Sequence, residues 1–145
     1  MNLLCAIAEI GRLAATRVTA LSSFYDTQPI GPANQDNFLN ATLGMETRLS
    51  PHQLLYELQR IETVVFKRIR TIHWGPRPMD LDILFFGDLV LTEEDLTIPH
   101  PRLHERGFVL VPLAEIAPDF IHPVLQRSVS ELLALLKTNE RVTLV

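Results

Sequence analysis

The order of helical and strand patterns along the chain limits its fold more than any other feature of the sequence. Apolar residues at helical spacing predict a first amphipathic helix over residues 3–15. Strand patterns follow over 18–25 and 38–46, with a polar, turn-prone loop over 28–37 between them. Because helices and strands then mix without strict βαβ alternation, the sequence predicts an α+β sandwich rather than a parallel doubly wound sheet.

Capping signals and prolines set the boundaries of the later elements. Ser50 and Gln53 form a capping box around Pro51, which predicts a second helix running to about Phe66. Prolines at five positions between 99 and 123 keep that part of the chain in short pieces. The remaining predicted elements are a strand over 79–86, a short strand over 89–91, a helix around 107–116, a helix from the capping box of Ser128 and Glu131 to about Leu136, and a terminal strand over 141–145.

Length and composition exclude several classes of protein. The 145 residues correspond to one domain, and 47% hydrophobic with 21% charged residues is typical of globular proteins. No apolar run approaches the roughly 18 residues that a membrane span requires. The single cysteine, Cys5, rules out an internal disulfide and indicates a reducing, cytoplasmic location. We expect Cys5 to be a buried small hydrophobe.

The charges of the chain are unevenly distributed. Thirteen basic and seventeen acidic residues give a net charge of −4, which argues against nucleic-acid binding through a basic surface. Residues 63–79 nevertheless contain Lys67, Arg68, Arg70 and Arg77 and no acidic residue. A local cationic segment in an acidic chain favours a small anionic ligand, and the alternative is a solvated surface loop.

Asp80 and Asp82 are the residues that point most clearly to chemistry. Two apart on a predicted strand, their carboxylates face the same side and repel unless a cation lies between them. Mg²⁺ accepts one or two carboxylates and completes its shell with water and phosphate oxygens, and Arg77 supplies a planar fork of donors suited to phosphate. The pair predicts a magnesium-dependent phosphoryl-type transfer; the alternative is a strand whose polar face lies in water.

These residues belong to a longer recognisable run. Residues 74–82 read Trp74-Gly75-Pro76-Arg77-Pro78-Met79-Asp80-Leu81-Asp82, which closely resembles the signature of the 6-hydroxymethyl-7,8-dihydropterin pyrophosphokinase family of folate biosynthesis. Four further blocks resemble that family in the same order, from residue 3 to about residue 120 as a whole. They are Ser22-Ser23-Phe24-Tyr25 with Thr27-Gln28-Pro29-Ile30-Gly31-Pro32, Phe38-Leu39-Asn40-Ala41, Thr97-Ile98-Pro99-His100-Pro101 and Arg106-Gly107-Phe108-Val109-Leu110.

The resemblance implies both a fold and an activity. The fold is a ferredoxin-like α/β sandwich with a mostly antiparallel sheet, formed by residues 1–145 as a single pyrophosphokinase domain. The match begins at the family's first helix, so we expect the family's first strand to be missing. The implied activity transfers the β,γ-diphosphate of ATP to the hydroxymethyl group of the pterin and releases AMP, with two Mg²⁺ ions. The alternative is a catalytically impaired relative that binds nucleotide or pterin.

The implied partners are small molecules, ATP and the pterin, with no nucleic acid and no membrane, and the chain is expected to be a monomer or a weak oligomer. Asp80 and Asp82 are expected to hold the metal and, with Arg70 and Arg77, to form the catalytic group. The expected ATP-binding residues are Gln59, Glu62, Arg68, Arg70, Trp74, Arg77, Ile83, Thr97, His100 and Arg106. The expected pterin-binding residues are Thr27, Gln28, Ile30, Phe38, Asn40, Trp74 and Phe108, and the two phenylalanines would stack on the flat ring.

Several of these residues have a purely structural alternative. Phe38 and Phe108 could be core residues, and His100 could be a turn residue whose ring caps the backbone. Glu62 could pair with a neighbouring arginine on its helix. The segment 66–74 is a candidate lid over ATP. The histidines expected to be surface residues are His52, His104 and His122.

Overall fold

The structure is a computed structural model that describes residues 2–28, 38–70, 80–138 and 140–145. Within these ranges the side chains of residues 2, 28, 66 and 68–70 lie outside the description. The described chain contains four α-helices and small antiparallel sheets, so the α+β class predicted from the sequence is confirmed. None of the helices described is both long enough and apolar enough to cross a membrane.

Helices and short strands follow one another irregularly along the described chain. In chain order they are α1 (Asn2–Gly11), β1 (Thr16–Leu21), β2 (Tyr25–Gln28), β3 (Phe38–Asn40), β4 (Leu43–Thr47), α2 (Pro51–Arg70), β5 (Leu91–Thr92), β6 (Thr97–Ile98), a 3₁₀ turn (Leu103–Glu105), α3 (Gly107–Ile116), α4 (Val129–Leu135) and β7 (Arg141–Leu144). β2 lies between β3 and β7 in an antiparallel sheet, β1 pairs with β4, and β5 pairs with β6.

The chain divides into two compact units, of which the first comprises Met1–Thr19 and Met45–Ile83. In this unit α1 packs against α2. The predicted capping box at the start of α2 is confirmed: Ser50 N–H donates to Gln53 Oε1 at 2.8 Å, and Gln53 N–H donates to Ser50 Oγ at 3.2 Å. The buried face of α2 repeats at helical spacing and consists of Leu54, Leu58, Ile61 and Val65.

The second unit comprises Ala20–Gly44 and Leu84–Val145. Here α3 packs against α4 and also contacts the three strands β3, β2 and β7. Its core is centred on three side chains with no solvent exposure, Leu103, Leu110 and Val129. The second predicted capping box is also confirmed, because the Ser128 hydroxyl and the Glu131 carboxylate each accept the other residue's backbone N–H at the start of α4.

Two strands predicted as continuous are each broken in the structure. The segment 18–25 divides into β1 and β2, and the segment 38–46 divides into β3 and β4. The breaks lie opposite each other: Ser22 N–H donates to the Thr42 carbonyl at 2.9 Å, and Thr42 N–H donates to Ser22 Oγ at 2.9 Å. Because a side-chain oxygen accepts one of these bonds, the regular ladder stops at this pair.

The prediction of a strand over 79–86 is wrong for residues 80–86, the part that the structure describes. Residues 80–85 are not in a strand, and Phe86 forms only an isolated bridge with Asp88. Leu81 N–H donates to a side chain, that of Glu62, and the Leu84 carbonyl accepts from His100 N–H. These single bonds do not make a ladder. The short strand predicted over 89–91 is displaced to β5, which pairs with β6.

Two predicted helix ends also move. α1 ends at Gly11 because Arg12 and Leu13 N–H bond three residues back, to Glu9 and Ile10, and Ala15 has a φ of 56°. α2 continues past Phe66 to Arg70, since lysine and arginine are good helix formers and favour a helix C-terminus. The helix predicted at 107–116 is confirmed as α3, and the terminal strand is confirmed as β7.

Candidate active site

A hydrogen bond joins the middle residue of the Asp80–Asp82 segment to α2. Leu81 N–H donates to Oε2 of Glu62 at 2.6 Å, and Ile83, just beyond the pair, is 8% exposed. Asp80 and Asp82 themselves are exposed. This short, non-helical segment therefore exposes the carboxylates of Asp80 and Asp82 to solvent. It is held by the backbone bond at Leu81 and by the buried side chain of Ile83.

The chemistry of this donor set fits a hard divalent cation. Two exposed carboxylates from residues two apart offer oxygen ligands only, and their exposure leaves room for water and phosphate oxygens. These are the ligands that Mg²⁺ takes in phosphate-handling sites. Asp80 and Asp82 are therefore the residues of this unit that would hold such an ion.

The other residues expected to bind ATP in the first unit lie on or after α2. Gln59 is exposed and stands three residues before Glu62, so both lie on the same side of the helix. Arg68 and Arg70 belong to the last turns of α2, and their side chains lie outside the described part. Trp74 and Arg77 lie outside the described residues, as does the part of the proposed lid beyond residue 70.

A polar pair in the second unit joins β2 and β3. Asn40 Nδ2 donates to Oγ1 of Thr27 at 2.8 Å, and Thr27 is 4% exposed. In the antiparallel register Thr27 faces Phe38, whose ring is 62% exposed. These three residues lie together on the β2–β3 pair, and the core alternative is wrong for Phe38 because it is exposed. Gln28 ends β2 with its side chain undescribed, and Ile30 lies outside the described residues.

An arginine and an aromatic ring meet at the start of α3. Arg106 precedes the helix, and its guanidinium carbon lies 5.5 Å from the ring centroid of Phe108. This distance permits a cation–π interaction. Phe108 is half-buried and packs against the core of the unit, so the core alternative is partly correct for this residue. A positive charge and a flat ring are therefore adjacent, which suits a ligand that has both a ring and a phosphate.

His100 and Thr97 lie in and just after the β5–β6 pair. The His100 ring accepts the backbone N–H of Arg102 through Nδ1 at 3.2 Å, and the His100 N–H donates to the Leu84 carbonyl at 2.9 Å. The His100 ring therefore caps the backbone of a turn, as the structural alternative predicted. Thr97 is half-buried in β6 and its hydroxyl lies 3.5 Å from the Glu93 carbonyl.

Sequence reasoning missed one carboxylate that ties α3 to β2. Glu115 accepts from Ser23 N–H at 2.9 Å, from the Ser23 hydroxyl at 3.0 Å and from the Tyr25 hydroxyl at 2.6 Å. The hydrogen bond from Tyr25, followed by that from Ser23 N–H, lowers the pKa of Glu115, and the same Tyr25 bond raises the pKa of Tyr25. The partners are some 90 residues apart, so no local pattern could have revealed them.

Two smaller predictions about single residues are wrong. His122 is 5% exposed rather than on the surface: its Nδ1 accepts from Val124 and Leu125 N–H, and Phe85 packs edge-on against its ring. Burial, followed by the charge of His104, lowers the pKa of His122. Cys5 is half-buried instead of buried.

Comparisons with known proteins identify the family to which the chain belongs. The family model of 7,8-dihydro-6-hydroxymethylpterin-pyrophosphokinase matches residues 1–118. A Haemophilus influenzae protein named 2-amino-4-hydroxy-6-hydroxymethyldihydropteridine pyrophosphokinase is 48% identical over 118 residues, which cover 81% of this chain and 73% of that protein. A Synechocystis protein of the same name is 45% identical over 132 residues, which cover 91% of this chain and 67% of that protein.

A longer relative contains only a short matching part. The Pneumocystis carinii folic acid synthesis protein fol1 is 44% identical over 114 residues, which cover 79% of this chain and 15% of that protein. This chain belongs to the 7,8-dihydro-6-hydroxymethylpterin-pyrophosphokinase family. The resemblance carried by residues 74–82 is therefore confirmed at the level of the family.

Proposed function

We propose that this chain transfers the terminal diphosphate of ATP to the hydroxymethyl group of 6-hydroxymethyl-7,8-dihydropterin in folate biosynthesis. The pterin hydroxyl oxygen attacks the β-phosphorus, the bond between that phosphorus and the α,β-bridging oxygen breaks, and AMP leaves. The hydroxyl proton is released to solvent. The products are the pterin diphosphate and AMP. The relatives' shared enzyme name supports this reaction.

One observation carries the proposal: the exposed carboxylates of Asp80 and Asp82 on a segment fixed by Glu62. We assign these two residues to two Mg²⁺ ions, which when bound neutralise phosphate charge and favour the ionised form of the attacking hydroxyl. Glu62 helps to hold the segment in place, because its carboxylate accepts the N–H of the residue between the two aspartates.

ATP recognition follows from the charges and surfaces of the residues assigned to it. Arginine forks suit phosphate oxygens, while an exposed glutamine and a buried isoleucine suit the nucleoside. The ATP-binding residues proposed are Gln59, Glu62, Arg68, Arg70, Trp74, Arg77, Ile83, Thr97, His100 and Arg106. Of these, Arg70 and Arg77 would act in catalysis by binding the transferred phosphates.

Pterin recognition is assigned to the sheet and to α3 of the second unit. Phe38 and Phe108 would stack on the ring, and Thr27 and Asn40 would bond its polar edge. Asn40 Nδ2 already donates to Thr27 and also lies 3.5 Å from the Phe38 carbonyl oxygen, so the Asn40 carbonyl oxygen is the atom that best suits a pterin edge. Gln28, Ile30 and Trp74 complete the proposed pterin-binding set.

The finer architecture is also a proposal. We propose that residues 1–145 act as a single pyrophosphokinase domain of ferredoxin-like arrangement. The mixture of helices with antiparallel strands supports that arrangement. We further propose a monomer in the cytoplasm, where ATP is available.

Replacing one metal-binding carboxylate tests the proposal. We expect Asp82→Ala to keep the fold and to lower AMP release about 1,000-fold, since bound metal contributes several kcal/mol to such reactions. The matched control is Asp88→Ala, which removes another exposed aspartate outside the proposed site and should leave AMP release unchanged.

The assay follows AMP with ATP, Mg²⁺ and the pterin present, and circular dichroism reports the fold. Undiminished AMP release by Asp82→Ala would show that the metal assignment is wrong. No AMP from folded wild-type chain would instead support the impaired relative.

A further inference from the structure

The first turn of α3 takes a hydrogen-bond acceptor from the C-terminal segment of the chain. The first N–H groups of a helix have no partner within it, and the side chain of the preceding residue, Arg106, makes no cap bond to them. Instead Gly107 N–H donates to Oε1 of Glu140 at 2.8 Å. A carboxylate in this place is favoured because it accepts the bond and also complements the positive end of the helix.

The bond lies between two residues that the proposed function uses. Arg106 and Phe108 stand directly before and after Gly107, with the guanidinium carbon of Arg106 5.5 Å from the ring centroid of Phe108. Holding the N–H of the middle residue restrains the stretch of backbone from which both side chains leave. Glu140 itself lies beyond residue 118, where the match to the family model ends.

Glu140 is in turn held by its surroundings. The Thr138 hydroxyl accepts Glu140 N–H at 3.1 Å and lies 3.4 Å from Oε1 of Glu140. A Cβ on Gly107 would lie 3.4 Å from that oxygen and 3.6 Å from Val142 Cγ2, which is ordinary van der Waals contact. The start of α3 therefore packs directly against residues 140–142.

The same segment continues into β7, which pairs with β2, the strand that carries Thr27 of the Thr27–Asn40 pair. Val142 faces Thr27 in the β2–β7 register, and Thr27 accepts from Asn40. Glu140 thus connects the start of α3, with Phe108, to the strand that carries Thr27. A shift at Glu140 would change the separation between the stacking ring and the polar edge.

We propose that Glu140 is a positioning residue for the pterin, acting through Gly107 N–H on Arg106 and Phe108; this inference rests on the proposed function. Glu140 sets the placement of the stacking ring and touches neither substrate. Its removal therefore weakens pterin binding more than it changes ATP binding.

Three variants at this position test the proposal. Glu140→Ala removes the acceptor, and we expect KM for the pterin to rise about tenfold, the effect of losing one charge-assisted bond. KM for ATP should rise by a smaller factor, because Arg106 is only one of the residues assigned to ATP. Glu140→Gln keeps an acceptor oxygen and should restore most of the pterin affinity. Glu140→Asp, one methylene shorter, should lie between them and carries the test if the alanine variant fails to fold.

The matched control is Glu131→Ala, which removes the carboxylate from the start of α4, a helix with no proposed substrate-binding residue. Glu131→Ala should lower the thermal midpoint about as much as Glu140→Ala does, and it should leave KM for the pterin unchanged. Calorimetric titration with the pterin gives the dissociation constant independently of turnover.

The two proposals fail in distinguishable ways. Equal pterin affinities in Glu140→Ala and Glu131→Ala, with active wild-type chain, would overturn the positioning role alone. A wild-type chain that binds pterin without forming AMP would overturn the proposed function, and the dissociation constants would still test Glu140. A wild-type chain that does not bind pterin would overturn both.

Discussion

Glu62 and Glu140 serve the same purpose in the two units: each carboxylate accepts a backbone N–H beside proposed substrate-binding residues. Glu62 accepts from Leu81 at 2.6 Å, and Glu140 accepts from Gly107 at 2.8 Å. Such charge-assisted bonds are about twice as strong as neutral ones. The donor and acceptor residues lie 19 positions apart in the first bond and 33 in the second, so no local motif predicts either bond. The motif residues, and Glu62 as a site residue, could be predicted from the sequence. The bond that Glu62 makes to Leu81 and the role of Glu140 could not.

His122 makes the stability of the second unit depend on pH. Burial lowers its pKa, so the folded chain favours the neutral ring, whose Nδ1 accepts two N–H groups. With the folded pKa below the unfolded value of 6.5, its contribution is complete above that pH and is lost as the pH falls toward the folded value.

Urea unfolding at about pH 7.5 and about pH 5.5 checks this dependence against the ordinary histidine range. We expect the free energy of unfolding to fall at the lower pH for the wild type and to fall less for His122→Asn. Equal losses in both proteins would mean that His122 does not cause the change.

At the scale of elements, α2 is a helix whose start has a strong local sequence signal and whose Glu62 bonds the proposed metal-binding segment. Its start follows from the capping box at Ser50 and its buried face from helical spacing, so both were predictable. Its end at Arg70 was not, because basic residues are compatible with either helix or loop. The breaks at Ser22 and Thr42 could not be predicted either. A side-chain hydroxyl that accepts in place of a strand carbonyl does not change the alternation of apolar and polar residues in the sequence.

The attachment of α2 to the metal-binding segment gives a prediction at this scale. We expect Glu62→Ala to raise the Mg²⁺ concentration for half-maximal activity by about 10- to 100-fold, the range seen when a hydrogen-bond partner that orients metal ligands is lost. Glu62→Gln, which keeps an acceptor oxygen, should have a smaller effect.

Magnesium titrations of AMP release measure this effect. Glu57→Ala, on the same helix, breaks an i,i+3 ion pair with Arg60 and serves as the control, with no change expected in the Mg²⁺ requirement. If Glu62→Ala requires no more Mg²⁺ than Glu57→Ala, the bond to Leu81 does not position the metal ligands.

On the scale of the whole molecule, the family could be predicted because residues 74–82 concentrate the chemistry in one continuous run. The α+β class followed from the order of helical and strand patterns. The strand expected at 79–86 did not form over its described part, because strand formation depends on partners elsewhere in the chain. The bonds of Glu115 to Tyr25 and of Glu140 to Gly107 likewise arise only when distant segments meet.

The central claim is diphosphate transfer, and ³¹P NMR of the complete reaction tests it most directly. With ATP, Mg²⁺ and 6-hydroxymethyl-7,8-dihydropterin, we predict that AMP and a pterin diphosphate appear in equal amounts, with no ADP. The appearance of ADP with a pterin monophosphate would contradict the account, because the bond broken would then be that of the γ-phosphate.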